Sequence, residues 1–316
     1  MKVISLREVA NYLPTDYTSP DDPLVEFRFS GKKEINLLTS EQEATRENLE
    51  YWVDNMRRFH DFSWEEIAQV TGYSGEDIQA ESRGFDEVIK PSSDVVTILP
   101  YPGGRHPRIG ALHSMIDPMR GTKLSIFLPW DTSQYIVLDV PEALFSQLGV
   151  TFLGHTHVPT VWDNKLVSIV NSDWELTNDG QYVNSWNLPN NITISVAVTP
   201  LQESVEMELV VYNGSDVDLD FLNGQVCIML KGAPDFDDQT RENKVLTDAI
   251  AAVHSKTKDR WILTQWERLR RTWDNPKCPC VHFDPVLDPC PIGETVRVKG
   301  RIWFHEGAEL PLDVAN

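Results

Sequence analysis

The stretch SVEMELVVYN, residues Ser204–Asn213, decides the fold class because apolar and polar side chains alternate strictly along it. Val205, Met207, Leu209 and Val211 fall on one face of an extended chain, since successive side chains of a strand point to opposite faces. One apolar face and one polar face are typical of an antiparallel sheet that packs on a core with one side only. The stretch therefore predicts a β-strand in a layered β-protein.

Outward from this strand, short segments rich in β-branched residues and bounded by Pro, Gly, Asn or Asp fill most of the chain after residue 90. Further strands are predicted at 94–99, 123–128, 134–140, 166–170, 192–199, 225–231, 260–266 and 294–304. One helix is predicted among them, because Leu246, Ala249, Ile250 and Val253 have helical spacing. Many strands without a βαβ rhythm predict a mainly β chain with a large antiparallel β-sandwich, supersandwich-like, over residues 91–316.

Residues 1–90 are predicted to form an N-terminal extension with a small helical subdomain. Ser63 with Glu66, and Ser74 with Asp77, have the spacing of helix N-terminal capping pairs. The helix–Gly–helix pattern is similar to a DNA-binding helix-turn-helix, but its second helix carries acidic residues and no Lys or Arg. These helices are therefore expected to pack on the main body.

The charge composition limits the classes of molecule that the protein is expected to bind. Among 316 residues, 48 are acidic and 28 basic, which gives a formal charge of −20. Such a charge repels phosphate backbones and anionic membranes, so neither nucleic acid nor membrane is an expected partner. No stretch approaches the roughly 20 apolar residues that span a bilayer, and the N-terminus lacks a signal-peptide pattern. We expect a cytoplasmic protein, and a homo-oligomer is an open alternative.

Residues 99–123 form a loop rich in Gly, Pro, Arg and His, the kind of segment that presents polar side chains from a rigid scaffold. Arginine suits carboxylates, phosphates and sugar hydroxyls, although these arginines could instead pair with the surplus Asp and Glu. The candidate substrate-binding residues are Arg105, Arg108 and Arg120, and the candidate catalytic residues are His106 and Asp117.

The stretch GHTHVPTVWD, residues 154–163, places His155 and His157 on one face of a predicted strand. Three interpretations stay open: metal ligands of cupin type, catalytic or substrate-contacting histidines without a metal, or hydrogen-bonded polar residues. The glutamate that cupins place shortly after such a pair is missing here. Tryptophans beside aspartates are candidate sugar-stacking platforms or core residues, and the substrate-binding candidates among them are Trp130, Trp162 and Asp163.

The stretch CPCVHFDPVLDPC, residues 278–290, contains three of the four cysteines. Cys278, Cys280, His282 and Cys290 offer a tetrahedral Cys3His set for one structural zinc ion, and Cys227 could replace one ligand. Free thiols and a disulfide between Cys278 and Cys290 are the alternatives, the disulfide being less expected in a reducing cytosol. No other cofactor is expected.

Several motifs together resemble an uncharacterised bacterial family over roughly residues 95–305: RHPRIG, DP-x-R-x-TK, FLPWD, DVPEA, HTHVPTVWD, KGAPDF and CPCVHFDP. That resemblance implies no catalytic residue. The segment LPNNITISVAVTPLQESVEMELVVYNGSD is similar to the middle of galactose-mutarotase-like supersandwich proteins. This second resemblance implies a carbohydrate substrate and a concave sheet face lined with His, Arg and carboxylates.

The leading hypothesis is a carbohydrate-active enzyme, a lyase, hydrolase or epimerase, with an Arg/His/carboxylate cleft on a β-sandwich. The alternatives are a cupin-like metal-dependent enzyme that uses His155 and His157 as ligands, and a non-catalytic glycan-binding or assembly protein. The chain contains no P-loop, no dinucleotide fingerprint after a strand, no G-x-S-x-G and no H-E-x-x-H, which disfavours those enzyme classes.

Overall fold

The computed structural model describes residues 46–82, 89–92, 94–112, 121–153 and 173–311. Within these ranges the chain forms two antiparallel β-sheets, preceded by short helices. Buried side chains from both sheets make one common hydrophobic core. The prediction of a mainly β sandwich is therefore confirmed.

The first sheet has seven strands among the described residues, in the order β1-β2-β3-β9-β14-β13, with β4 paired to β3. Its strands are β1 (Ile98–Pro100), β2 (Lys123–Leu128), β3 (Asp131–Ser146), β4 (Gly149–Phe152), β9 (Leu222–Met229), β13 (Leu269–Asp274) and β14 (Cys280–Leu287). The strand pairings of this sheet are antiparallel in the described part of the chain, so residues of adjacent strands lie opposite one another in cross-strand rows.

The second sheet has eight strands in the described part of the chain, in the order β10-β11-β12-β15-β8-β7-β6-β5. Its strands are β5 (Glu175–Leu176), β6 (Tyr182–Asn187), β7 (Ile192–Pro200), β8 (Ser204–Asn213), β10 (Lys244–Leu246), β11 (Ala251–His254), β12 (Arg260–Trp266) and β15 (Thr295–Glu306). Strand β8 lies between β7 and β15, and its four alternating apolar residues all enter the core between the sheets.

The predicted helix over residues 246–253 is wrong. The two ends of the segment lie in β10 and β11, which pair with each other with Lys244 opposite Val253, and residues 247–250 connect the two strands. Ala251 and Val253 enter the core between the sheets, whereas Ile250 and Ala252 are buried in a second cluster on the opposite face. Because both faces of this segment carry apolar side chains, the apolar–polar alternation that marks a strand is missing. The spacing of the apolar residues then resembles that of a helix.

The helices lie before the sheets: α1 (Arg46–Asp54), a π-helical turn (Asn55–Phe59), α2 (Trp64–Thr71) and α3 (Gly75–Ser82). The capping box of Ser63 with Glu66 forms as predicted, and Gly72 ends α2 in the left-handed conformation. Within the described residues, no helix is long and apolar enough to cross a membrane. The boundary between two domains at residue 90 stays a prediction.

The helical segment contacts the seven-stranded sheet on the face that points away from the core. The Asn55 side chain donates a hydrogen bond to the Pro100 carbonyl (Nδ2–O 2.9 Å), and the His60 ring bonds the Ser125 hydroxyl (Nε2–Oγ 2.7 Å). The helices and the loop 101–112 thus cover a sheet face that would otherwise be exposed to solvent.

Candidate functional site

A row of polar and aromatic residues crosses five strands of the seven-stranded sheet on its covered face. Successive pairs lie directly opposite each other, and the row runs Lys123, Asp139, Cys227, His282 and Trp273. The residues on either side of Cys227 and His282 point into the core between the sheets instead. Strand alternation therefore places this whole row on one side of the sheet.

The charged groups of this covered face are buried and paired. Lys123 Nζ lies 2.8 Å from Asp139 Oδ2, and Arg108 Nη2, from the loop, lies 3.2 Å from Glu142 Oε1. The side chains of all four residues are at most 1% exposed. Removing charges from water costs free energy that attraction must offset, so a buried cluster of ions on one face marks a candidate site.

Glu142 is held by several neighbours at once. Its carboxylate accepts hydrogen bonds from Arg108 (Nη2–Oε1 3.2 Å) and from Gln225 (Nε2–Oε2 2.8 Å). His282 Nδ1 lies 3.7 Å from Glu142 Oε2, and Arg108 Nη2 lies 3.8 Å from Cys227 Sγ. The carboxylate therefore links the loop arginine to the thiol-bearing strands. The sequence did not single out Glu142 within this set, because it lies on a different strand from its partners.

Three residues of this face form a group that could hold a metal ion: the ligand atoms of Cys227, Cys280 and His282 lie within 4.8 Å of one another. Cys278 Sγ lies 3.5 Å from Cys280 Sγ. Burial raises the pKa of the Cys227 thiol, whereas hydrogen bonds, first from Cys227 and then from Cys278, lower the pKa of Cys280.

Cys290, a member of the predicted ligand set, lies outside this group of three. Its side chain belongs to the core between the sheets, and its Sγ lies 3.2 Å from the Glu294 carbonyl oxygen. Cys227, from the distant strand β9, lies in the group with Cys280 and His282. All four cysteines are described and none forms a disulfide, so the Cys278–Cys290 bridge is absent from this structure.

A pocket of about 500 Å³ opens beside the thiol group. Tyr101, Tyr135 and Val137 line it and also pack against the buried cysteines, so one layer of side chains separates the two. Further polar lining comes from His60, Asp61, Arg105, His106, Ser133, Gln134 and Lys231. Its volume lies within the range of small-molecule sites, and its lining mixes aromatic, cationic and amide groups.

The predicted residues of the loop take different positions around this pocket. His106 is buried at its wall, and its Nδ1 accepts a hydrogen bond from the Arg108 backbone N–H at 3.2 Å. The Arg105 guanidinium donates to the carbonyls of His60 and Asp61 and pairs with Glu66 at 2.7 Å. Arg105 therefore fixes the loop to α2, while Arg108 lies beneath the loop with Glu142. The catalytic and substrate-binding roles of these residues stay predictions.

A buried Ser–His pair was missed by sequence reasoning. His60 Nδ1 donates to the Asn55 carbonyl at 3.1 Å, which leaves Nε2 to accept from the Ser125 hydroxyl at 2.7 Å. Burial lowers the pKa of His60 to about 3, so the ring is neutral at physiological pH. No motif signals this pair, because the two residues are 65 positions apart and meet only when the helices cover the sheet.

Trp130 lies away from this pocket and packs at the edge of the core. Its ring stacks on Phe236, with centroids 6.0 Å apart, and the Arg260 guanidinium lies 5.4 Å from its centroid. Both contacts of the Trp130 ring are thus with side chains of the same chain. The remaining predicted site residues lie outside the described residues, and their roles stay predictions: Asp117, Arg120, His155, His157, Trp162 and Asp163.

Comparisons with known proteins find solved structures that are similar to this chain only at low sequence identity. No family model matches the chain, and no curated protein matches it. A galactose mutarotase related enzyme from Lactobacillus acidophilus shares 9% identity, with a TM-score of 0.37, over 70% of this chain and 98% of that one. A heparan sulfate lyase from Pedobacter heparinus shares 11% identity, with a TM-score of 0.35, over 84% of this chain and 42% of the lyase.

A third similar structure, provisionally described as a kojibiose phosphorylase from the human microbiome, shares 10% identity with a TM-score of 0.36. The chain spans only 27% of that protein's length. The mutarotase-related structure is of the kind that the sequence resemblance names. At these scores the similarities carry no argument about activity, which has to come from the site itself.

Proposed function

We propose that the chain is a carbohydrate-active enzyme whose substrate binds in the pocket over the seven-stranded sheet. The observation that supports this most is the position of that pocket. It opens beside a sheet face where charged groups are buried and paired, and its own wall offers aromatic rings, an amide, two cations and two histidines. A sugar presents hydroxyl groups to such polar side chains and apolar C–H faces to such rings.

In this proposal Asp61, the one carboxylate among the described lining residues, is the base that takes the carbon-bound proton, and His106 stabilises the negative charge that this leaves on the neighbouring sugar oxygen. Because the His106 Nδ1 accepts the Arg108 N–H, the neutral ring carries its hydrogen on Nε2 and donates a hydrogen bond to that oxygen. Arg108 holds this part of the loop against the sheet through Glu142, which fixes the position of the ring. Arg108 is thus a positioning residue, and the imidazole of His106 is the group that contacts substrate.

The lining favours proton abstraction over hydrolysis by paired carboxylates. Glycoside hydrolysis ordinarily uses two carboxyl groups about 5 to 10 Å apart across the scissile bond. Among the described lining residues Asp61 is the one carboxylate, whereas two histidines and two tyrosines line the same pocket. An epimerase or a lyase, which removes a proton from a sugar carbon, therefore fits this wall better than a hydrolase.

Lys231 extends the proposal to the kind of sugar. Its ammonium group lies at the pocket with the side chain 45% exposed, and its carboxylate neighbour Asp237 is 3.3 Å away. A cation at a pocket mouth in a chain of net charge −20 is suited to an acidic sugar, because the rest of the surface repels one. We expect uronate-containing oligosaccharides to bind better than neutral ones.

The test is exchange of carbon-bound hydrogen in D₂O. The full chain is incubated with neutral and uronate-containing oligosaccharides, and NMR follows both deuterium uptake and new double bonds. We expect turnover of at least one sugar, and His106→Asn is expected to lower its rate at least about 100-fold, the usual effect of removing one hydrogen-bond donor to a developing oxyanion. His305→Asn, on the eight-stranded sheet, is the matched control and is expected to leave the rate unchanged.

Each other outcome has a defined meaning. Sugar binding without exchange or cleavage in any substrate would replace the enzyme by a glycan-binding protein. Absence of both binding and turnover across the panel contradicts the proposal. Equal loss of activity in His106→Asn and His305→Asn would show that the pocket histidine has no particular part in the reaction.

A further inference from the structure

We infer that Cys227, Cys280 and His282 form a zinc site, with Cys278 as the fourth ligand, on the covered face of the seven-stranded sheet. This ligand set differs from the one that the local spacing predicts, because Cys227 comes from β9 and Cys290 is excluded by its position. The inference stands on the geometry of the cluster and is independent of the proposed carbohydrate activity.

The first support is the convergence of soft donor atoms from two strands and a turn. The ligand atoms of Cys227, Cys280 and His282 lie within 4.8 Å of one another. Cys278 Sγ lies 3.5 Å from Cys280 Sγ. Tetrahedral zinc with Zn–S bonds of about 2.3 Å separates its sulfur ligands by about 3.8 Å, so the group of three needs only small adjustments. Cys278 lies outside that group, and its side chain has to turn toward Cys227 and His282 to complete the site.

The second support is His282 itself. Its side chain is 1% exposed, and neither ring nitrogen makes a hydrogen bond of ordinary geometry with any described residue. Buried imidazole nitrogens normally have partners, because an unpaired polar atom away from water is costly. A metal ion bound by one nitrogen supplies the missing interaction, and the ring already faces the two sulfur atoms.

The surroundings match those of a metal-binding histidine. Trp273 stacks on the His282 ring with centroids 3.6 Å apart and planes 11° apart, which fixes the ring's orientation. Glu142 Oε2 lies 3.7 Å from Nδ1, so a carboxylate stands beside the ring as it commonly does behind metal-bound histidines. Arg108, 3.8 Å from Cys227 Sγ, offsets part of the negative charge that thiolate ligands bring.

The chemistry of the ligand atoms determines which metal ion the site favours. Thiolate and imidazole ligands favour zinc over magnesium or calcium, which prefer oxygen. Cys227 and Cys280 are fully buried, and Cys278 and His282 are nearly so. Four protein ligands leave no position for water or substrate, so the ion holds β9, β14 and the turn before β14 together. Its role is structural.

The experiment measures zinc content and ligand type in the same protein. Untagged wild-type chain is expected to carry about one zinc per molecule by mass spectrometry of the metal. After removal with a chelator, Co²⁺ is added as a probe, and it is expected to give the near-ultraviolet band of cobalt bound to thiolate. Cys227→Ser and His282→Asn are expected to weaken Co²⁺ binding at least tenfold.

Cys290→Ser is the matched control, because it removes another buried cysteine that lies outside the cluster. It is expected to bind Co²⁺ as the wild type does. Equal binding by Cys227→Ser and wild type, or loss of binding in Cys290→Ser alone, overturns the ligand set. If the cluster variants do not fold, the wild type still decides: a folded chain that binds no zinc and gives no thiolate–cobalt band excludes the site.

Discussion

His60 shows how the covered sheet face sets the chemistry of a single residue. The ring is enclosed between the Asn55 carbonyl and the Ser125 hydroxyl, and its pKa falls to about 3 because burial disfavours the charged form. In the unfolded chain the pKa is near 6.5. Below that pH the unfolded state binds a proton that the folded state does not. The contribution of His60 to the free energy of unfolding is therefore lost as the pH falls.

We therefore predict that His60→Gln reduces the pH dependence of stability. Between pH 6.5 and pH 3 the neutral buried ring makes the free energy of unfolding fall by up to about 1.4 kcal/mol per pH unit as the pH is lowered. Urea unfolding of wild type and variant at pH 7 and pH 5 measures this difference. His254→Gln, a histidine on the other sheet, is the control, and an equal effect in both variants would contradict the assignment to His60.

Arg108 and Glu142 give a second prediction at this scale. Arg108→Met leaves the fully buried Glu142 carboxylate without its cation and is expected to destabilise the fold by about 3 to 5 kcal/mol. Adding Glu142→Gln removes the uncompensated charge and is expected to restore part of the loss. A double-mutant cycle by urea denaturation checks this, and additive effects of the two changes would argue against coupling of the pair.

The residues of the candidate site were only partly predictable from sequence. His106, Arg108, Cys280 and His282 could be named because a loop or a short motif concentrates them. Cys227, Glu142 and the His60–Ser125 pair could not be placed, because their partners come from strands or helices far away in sequence. Local spacing carries no information on which strands become neighbours.

At the scale of elements, prediction succeeded where one face of a segment is apolar and the other polar. Strand β8 and helix α2 have this pattern, with a capping box as a further signal for α2. It failed over 246–253, where β11 buries apolar side chains on both of its faces and the alternation of apolar and polar residues disappears. The two-sheet architecture was predictable because most strands keep one side toward the common core.

The contact between β12 and β15 gives a prediction for these elements. Gly300 lies opposite Trp266, and a Cβ atom added there would be 2.5 Å from the indole ring and 2.9 Å from the Gln265 carbonyl. Gly300→Ala is therefore expected to destabilise the fold by about 1 to 3 kcal/mol, as overpacking does. Thermal unfolding measures this loss.

The control for that variant is Gly75→Ala in α3. An added Cβ at Gly75 makes one ordinary contact, 3.8 Å from the Ala68 side chain. Its stability is expected to stay the same or to rise by up to about 1 kcal/mol, because alanine loses less chain entropy than glycine. A stable Gly300→Ala protein would mean that β12 and β15 can move apart locally to accommodate a methyl group.

For the whole molecule the dominant property is the charge of −20. Like charges on one compact body repel each other, and dissolved salt screens them over about 10 Å at 0.1 M ionic strength. We predict that the unfolding temperature rises when NaCl is increased from about 0.02 M to about 0.5 M. Calorimetry measures the unfolding temperature at the two salt concentrations. KCl is the control and is expected to raise it by the same amount as NaCl. A fall in the unfolding temperature would show that surface ion pairs outweigh the repulsion.

The cross-strand row on the seven-stranded sheet also bears on how the chain finds its own register. A slip of β9 by one residue would place Val226 or Ile228 opposite His282 and turn Cys227 toward the opposite face. The same slip would place an apolar residue of β9 opposite Asp139 in place of Cys227. It would also turn the polar side chains of β9 into the hydrophobic core between the sheets. Both changes raise the free energy of a mispaired sheet. The row therefore favours the one register in which its five residues lie opposite one another.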